Sequence, residues 1–258
     1  MRKNLYYLLS LLTVLALISC EPSYRTKPPS DSARKTYSIA KATYDISLIS
    51  VEKSTGDKKI GEQRIETVVE EGITKFSFED ETVRIKWLPS PYDIVFVLNN
   101  NADGQVRIVW NEARFTDEKG ASHRLIHSGI GYEDRNNSQP PTIVAARGAL
   151  DDFVHPADYF EREEGSGGSS YKQQSYWKRS PFLPAQIKGT AAELRAKAEP
   201  FVGKTFQVLF VLQIDDVQNE YFCTFKINKV DVTVKQEQPE KNPNDGKGSG
   251  KGSRRRTF

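Results

Sequence analysis

Two cysteines, one methionine and three histidines among 258 residues are a thin supply of redox and metal-binding chemistry. His123 and His127 do not form an HEXXH pair, because Arg124 rather than Glu follows the first. On a strand they would share a face about 13 Å apart, too far to hold one metal ion. G-x-S-x-G, Walker A and dinucleotide-binding fingerprints are all missing. The nearest glycine cluster, "GSGG" at 165–168, follows acids and precedes no helix pattern, so it supplies slack. No apolar run reaches the roughly 20 residues that a membrane-crossing helix needs. A basic body is absent too. There are 37 Lys+Arg against 34 Asp+Glu, and the surplus sits at the two ends: Arg2 and Lys3 at the start, and seven basic against three acidic residues from Lys235 onward. That distribution gives nucleic acid no folded basic surface.

What is present begins with Arg2 and Lys3 followed by the apolar run Leu5–Ile18, the charged and hydrophobic regions of an export signal. An ordinary cleavage site needs small-x-small residues, and Leu17 occupies the first small position. Leu17-Ile18-Ser19-Cys20 instead resembles a bacterial lipobox. The resemblance implies that residues 1–19 are a signal peptide and that Cys20 becomes the lipidated first residue. Each buried methylene of an acyl chain contributes about 0.8 kcal/mol, and two or more chains anchor stably. Glu21 follows the cysteine in place of the Asp associated with inner-membrane retention, so the expected location is the cell envelope, with the outer membrane favoured over the inner one.

With Cys20 acylated, Cys223 in "NEYFCTFKIN" has no disulfide partner and the fold depends on its core. Cys223 lies in a strand pattern among Tyr221, Phe222, Thr224 and Phe225, as a small buried hydrophobe with no activating base in the local sequence.

Composition divides the mature chain into a tether at 20–41, a body at 42–234 and a basic tail at 235–258 that has too little apolar surface to fold. The tail's Arg254, Arg255 and Arg256 suit an anionic lipid or polymer. In the body, Phe76 and Phe78, then Val83, Ile85 and Trp87, and later Val106, Ile108 and Trp110, alternate with polar residues, which is the period of half-buried strands. "NNNADG" at 99–104, "TDEKGAS" at 116–122 and Asp215–Asn219 mark three hairpins. "TAAELRAKAEPF" is the one helix pattern: Thr190 is the N-cap, Glu193 completes a capping box, and Pro200 ends it. These features predict a mainly β, antiparallel β-sandwich, immunoglobulin-like or related, with one short helix and a long irregular insertion at 129–188.

That insertion is the expected seat of function. Tyr176, Trp177 and Lys178, in "QQSYWKRSPFLP", form its best exposed aromatic-basic group, while Trp87 and Trp110 fit core positions. Asp151, Asp152 and Asp158 could supply carboxylates to a hard cation, but they lack the spacing of an EF-hand loop; no metal or other cofactor is expected. The segment 109–142, "VWNEARFTDEKGASHRLIHSGIGYEDRNNSQPPT", resembles blocks of bacterial envelope lipoproteins, a resemblance that implies export and no catalytic role. The expected function is non-catalytic binding of an envelope protein or polysaccharide by a membrane-anchored module. The alternatives are a glycan-directed hydrolase using acids within 129–188 and a structural part of an envelope complex. Cys20→Ala is expected to release the chain from membranes and to remove the acyl mass from its amino terminus, as read by membrane partition and intact mass.

Overall fold

The computed structural model describes residues 37–56, 58–163 and 175–237. The signal segment, Cys20, most of the tether and the tail beyond Glu237, with Arg254, Arg255 and Arg256, lie outside the described residues, whereas Lys235–Glu237, read as the start of the tail, belong to the last strand. Among the described residues there are sixteen strands: β1 (Tyr37–Thr55), β2 (Lys58–Glu62), β3 (Ile65–Glu70), β4 (Ile73–Glu79), β5 (Val83–Pro89), β6 (Ile94–Asn100), β7 (Val106–Ile108), β8 (Arg114–Thr116), β9 (Ser122–Ile126), β10 (Thr142–Val144), β11 (Ala149–Pro156), β12 (Phe160–Glu163), β13 (Tyr176–Arg179), β14 (Gln186–Lys188), β15 (Thr205–Ile214) and β16 (Val217–Glu237). One helix, α1 (Ala191–Ala198), and a 3-10 turn at Glu199–Phe201 precede β15. β1 begins inside the segment read as a tether.

The expectation of a mainly β, antiparallel chain with one short helix holds. The main sheet runs β14-β1-β16-β15-β8-β9-β11-β6-β5-β4-β3; β2 is added to β1, and β7 joins β15 to β10. β1 and β16 pair along their whole length, from Tyr37↔Glu237 to Thr55↔Asn219, with register shifts between Asp45 and Ile46 and between Leu48 and Ser50. Such bulges bend and twist a long ribbon, and the sheet curls until β5 and β6 face β15 and β16. Alternating burial on β5 and β6 sends Ile85, Trp87, Phe96 and Leu98 into the enclosed side. There Trp87, fully buried, meets Phe210 at 5.4 Å and Phe225 at 6.0 Å, both edge-on, across the two layers. Trp110 is also buried, and its indole N–H donates to Thr142 at 2.8 Å. Cys223 is buried on β16, where burial pushes its thiol pKa well up, so it serves as a core residue.

The three predicted turns fare differently. β15 and β16 form the expected hairpin, tightened to a two-residue turn with Asp215 and Asp216 both at positive φ. β8 and β9 pair across 117–121, where the Asp117 carboxylate accepts from the amides of Lys119 and Ala121. The segment 99–104 does not close a hairpin. β6 pairs with β5 and β11, whereas β7 pairs with β10 and β15. The buried Asn100 explains the difference. Its amide donates to the carbonyls of Gly104, Val144 and Ala145 while its oxygen accepts from Ala102, so the turn directs the chain to the other layer. The helix carries the expected capping box between Thr190 and Glu193.

The interval 129–188 is not irregular: it contains β10 to β14. β11 spans two parts of the sheet by pairing with β6 along Ala149–Val154 and with β9 at His155 and Pro156.

One buried polar tie joins the layers. Asp80, in the β4–β5 turn and 8% exposed at its side chain, accepts from Lys53 of β1 at 2.5 Å and from the Tyr221 hydroxyl of β16 at 2.7 Å. The amides of Thr82 and Val83 also donate to it. Burial alone would raise its pKa; the hydrogen bonds from Lys53, Tyr221, Val83 and Thr82 outweigh burial and hold it below the ordinary value. Asp80→Ala is expected to cost about 3 kcal/mol at neutral pH, since it strands a buried lysine. Because the folded-state pKa is depressed, the carboxylate's contribution is complete above the unfolded value of about 4 and is lost as pH falls through the folded value. Denaturant unfolding should therefore show the gap between wild type and variant shrinking in acid.

Candidate functional site

Tyr176, Trp177 and Lys178 lie on β13, which pairs with β12 as a separate two-stranded ribbon, so their expected position outside regular structure is corrected. The alternating pattern needed to recognise a strand is only four residues long here, and its pairing partner is a dozen residues away. Register places Trp177 opposite Arg162 and Arg179 opposite Phe160, all on one side of the ribbon, with Tyr176, Lys178, Glu161 and Glu163 on the other.

The first side meets the body through rings. Trp177 stacks on Tyr132 with centroids 3.9 Å apart and planes 11° apart. The Arg135 guanidinium lies 3.7 Å from the centre of the same Tyr132 ring. Both cannot occupy one face, so the order is Arg135, Tyr132, Trp177. Phe160 meets the edge of Tyr132 at 5.4 Å. Trp177 nevertheless remains 40% exposed and Tyr176 56% exposed. Among the described residues, no ring or cation stacks on the other face of Trp177. Lys178 is less available than the sequence implies, because its ammonium is paired with Glu161 and Glu163.

The base of the ribbon is held by charge. Arg179 reaches Asp93 at 3.2 Å and covers the Phe153 ring at 4.1 Å. Beside it, His155 is fully buried, with Nδ1 2.7 Å from the Tyr92 carbonyl and Nε2 2.8 Å from the Tyr159 carbonyl. Asp93 lies 3.2 Å from the same Nδ1.

The three aspartates do not converge. Asp151 and Asp152 are consecutive on β11 and point to opposite faces. Asp152 lies 3.3 Å from His127 and accepts from the amides of Ser128 and Phe153. Burial would raise its pKa, but these hydrogen bonds hold it below the ordinary value. Asp158 instead binds Nδ1 of His123 at 2.8 Å. No cluster of three metal-ligating side chains occurs among the described residues. His127 stacks on Trp110 at 4.2 Å, so the Asp152–His127 pair is built into packing at the edge of the core.

Of the aromatics near the interval, Phe182 is buried and Tyr159 packs on the core, leaving the Tyr132–Trp177 stack as the accessible pair. Arg135 was not singled out by the sequence. Its only local signal is a position three residues beyond Tyr132, where its side chain donates to the Tyr132 carbonyl at 2.6 Å. A cleft of ≈ 430 Å³ between the β8–β9 turn and the end of α1 is lined by Lys119, Lys197 and Lys204 over Phe201, and contains no catalytic constellation. No helix among the described residues is long and apolar enough to cross a membrane. No family model, curated protein or solved structure matches this chain.

Tyr132→Ala is expected to unseat Trp177 while leaving Trp87 and Trp110 in place. The measurements are a red shift and greater acrylamide quenching of part of the tryptophan fluorescence, with a stability loss of about 1 kcal/mol.

Proposed function

We propose that this chain is a lipid-anchored, non-catalytic binding module of the bacterial cell envelope, attached through Cys20 to the outer membrane. The curled sheet, in this reading a sandwich-related or partly open barrel, is a rigid support for the β12–β13 ribbon. The carrying observation is the Trp177 ring, stacked on Tyr132 but still 40% exposed. Large aromatics fixed in one orientation lose little conformational freedom on binding and supply much of the energy at recognition surfaces. The proposed partner is an envelope protein or polysaccharide, with Trp177 making the central contact and Tyr176 and Lys178, on the ribbon's other side, making peripheral ones. Arg254, Arg255 and Arg256 add an attraction to anionic lipid or polymer.

The hydrolase alternative has less support. Asp151, Asp152 and Asp158 each have separate surroundings, and acid-base hydrolysis needs two carboxyl groups facing one bond. A structural role in an envelope complex would use the same exposed ribbon and differs only in the partner's permanence.

The test is co-sedimentation of the full chain with purified envelope polysaccharide and, separately, cross-linking to envelope proteins in native membranes. Trp177→Ala is expected to weaken the productive interaction about 30-fold, as for a central aromatic contact. Undiminished binding by that variant would overturn the ribbon as the recognition surface. Release of soluble glycan fragments, abolished by Asp152→Asn in a chain that still folds, would overturn the non-catalytic reading.

A further inference from the structure

The sheet is open, and its ends are not equally protected. β14 is three residues long. β2 carries Lys58 and Lys59 and is interrupted by Gly61 at φ +117. Short, charged or irregular edges discourage pairing. β3 is longer and regular over Ile65–Glu70: it pairs with β4 without a register shift and has neither proline nor lysine, its only charges being Glu66 and Glu70, whose backbone groups bond to β4.

The backbone groups on its outer edge can be assigned. Glu71 and Gly72, both at positive φ, make a two-residue turn between the paired residues Glu70 and Ile73. In such a hairpin the residues flanking the turn exchange hydrogen bonds, so Glu70, Val68 and Glu66 bond inward to β4. Ile65, Thr67 and Val69 therefore direct their N–H and C=O groups outward. Among the described residues no strand pairs with that edge. Their side chains lie on the same side of the sheet as Phe76 and Phe78, yet Val69 is 67% exposed, so the opposite layer does not cover this end of β3.

We infer that β3 is a self-pairing edge: two copies of this chain join β3 to β3, antiparallel about a two-fold axis at Thr67. The occupant follows from the side chains. In this register Thr67 lies opposite Thr67 of the second copy, and Ile65 lies opposite Val69, giving each exposed valine an apolar cross-strand neighbour. Arg64 falls opposite Glu70, and Glu66 opposite Val68, so unlike charges meet and no like charges face each other. Arg64 is available for this role, since its contact with Glu66 is 3.8 Å long and both side chains are well exposed. Centring the axis on Ile65 or Val69 instead places an outward-facing strand residue against Gln63 or Glu71, outside β3. An isologous contact of this kind closes at two copies. It uses a different surface from the β12–β13 ribbon and holds whether or not that ribbon binds a partner.

The test is sedimentation velocity of the full chain in mild detergent at about 100 µM, a concentration suited to a small interface. Wild type is expected to contain dimer, and Val69→Lys to weaken dimerisation at least about tenfold with an unchanged melting temperature, because the side chain is outside the core. A second pair of variants fixes the register. Thr67→Cys is expected to form a disulfide-linked dimer above the background of the parent chain, since paired Cα atoms about 5.5 Å apart lie within disulfide range. Val68→Cys is not, because its opposite residue is Glu66. A monomer at this concentration, or a dimer that survives Val69→Lys and gives no Thr67→Cys link, overturns the proposal.

Discussion

The fold depends on a contact between the two flanks of one curled sheet: Trp87 of β5 against Phe210 of β15 and Phe225 of β16. A tryptophan removes so much surface from water that the curl has a strong, non-directional driving force. Direction comes from elsewhere. The bulges of β1 bend the ribbon at fixed points, Asn100 moves the chain between layers, and Asp80 fixes the β4–β5 turn to both β1 and β16. Area closes the structure, and a few buried polar groups determine how it closes.

The same division of labour recurs at the ribbon. Arg179, Asp93 and the His155 imidazole hold its base, while rings hold its exposed end. Lys178 is drawn into pairing with Glu161 and Glu163, which leaves the aromatic surface, rather than the lysine, as the distinctive feature of the ribbon. The buried Asp152–His127 pair is similarly structural in its surroundings: it borders the core at Trp110 and ties the end of β9 to β11.

Elements whose stabilising partners are near in sequence were readable from it. Alternation at Val83, Ile85 and Trp87 matches the buried side of β5, and the Thr190–Glu193 capping box is a local pattern that the helix realises. The Asp215-Asp216 turn belongs to the same group. Four of the five strands within 129–188 were not readable because they are three or four residues long, have almost no period and are fixed by remote neighbours; the fifth, the eight-residue β11, lacks strict alternation. β10 needs β7, and β14 needs β1. For the site, Trp177 stood out as an aromatic in polar surroundings, but its stacking partner is 45 positions earlier in the chain and Arg135 had no distinguishing pattern. The separation of the three aspartates was not legible either: alternation on β11 turns Asp151 and Asp152 to opposite faces, and Asp152 and Asp158 pair with different histidines.

The pairing of β1 with β16 also imposes an order on folding. Tyr37 finds its neighbour only at Glu237, so the first strand of the body waits for almost the whole chain to become available. Contacts of such long sequence separation form slowly, because the entropy of closing the loop must be met before they stabilise anything. The hairpins β3–β4 and β4–β5 need no such delay. A chain emerging from its amino terminus would thus carry early-formed hairpins beside a partly apolar β1 paired only at its end, over Glu52–Thr55 with β2, which makes the interval before β16 arrives the period of greatest exposure to proteolysis and misassociation.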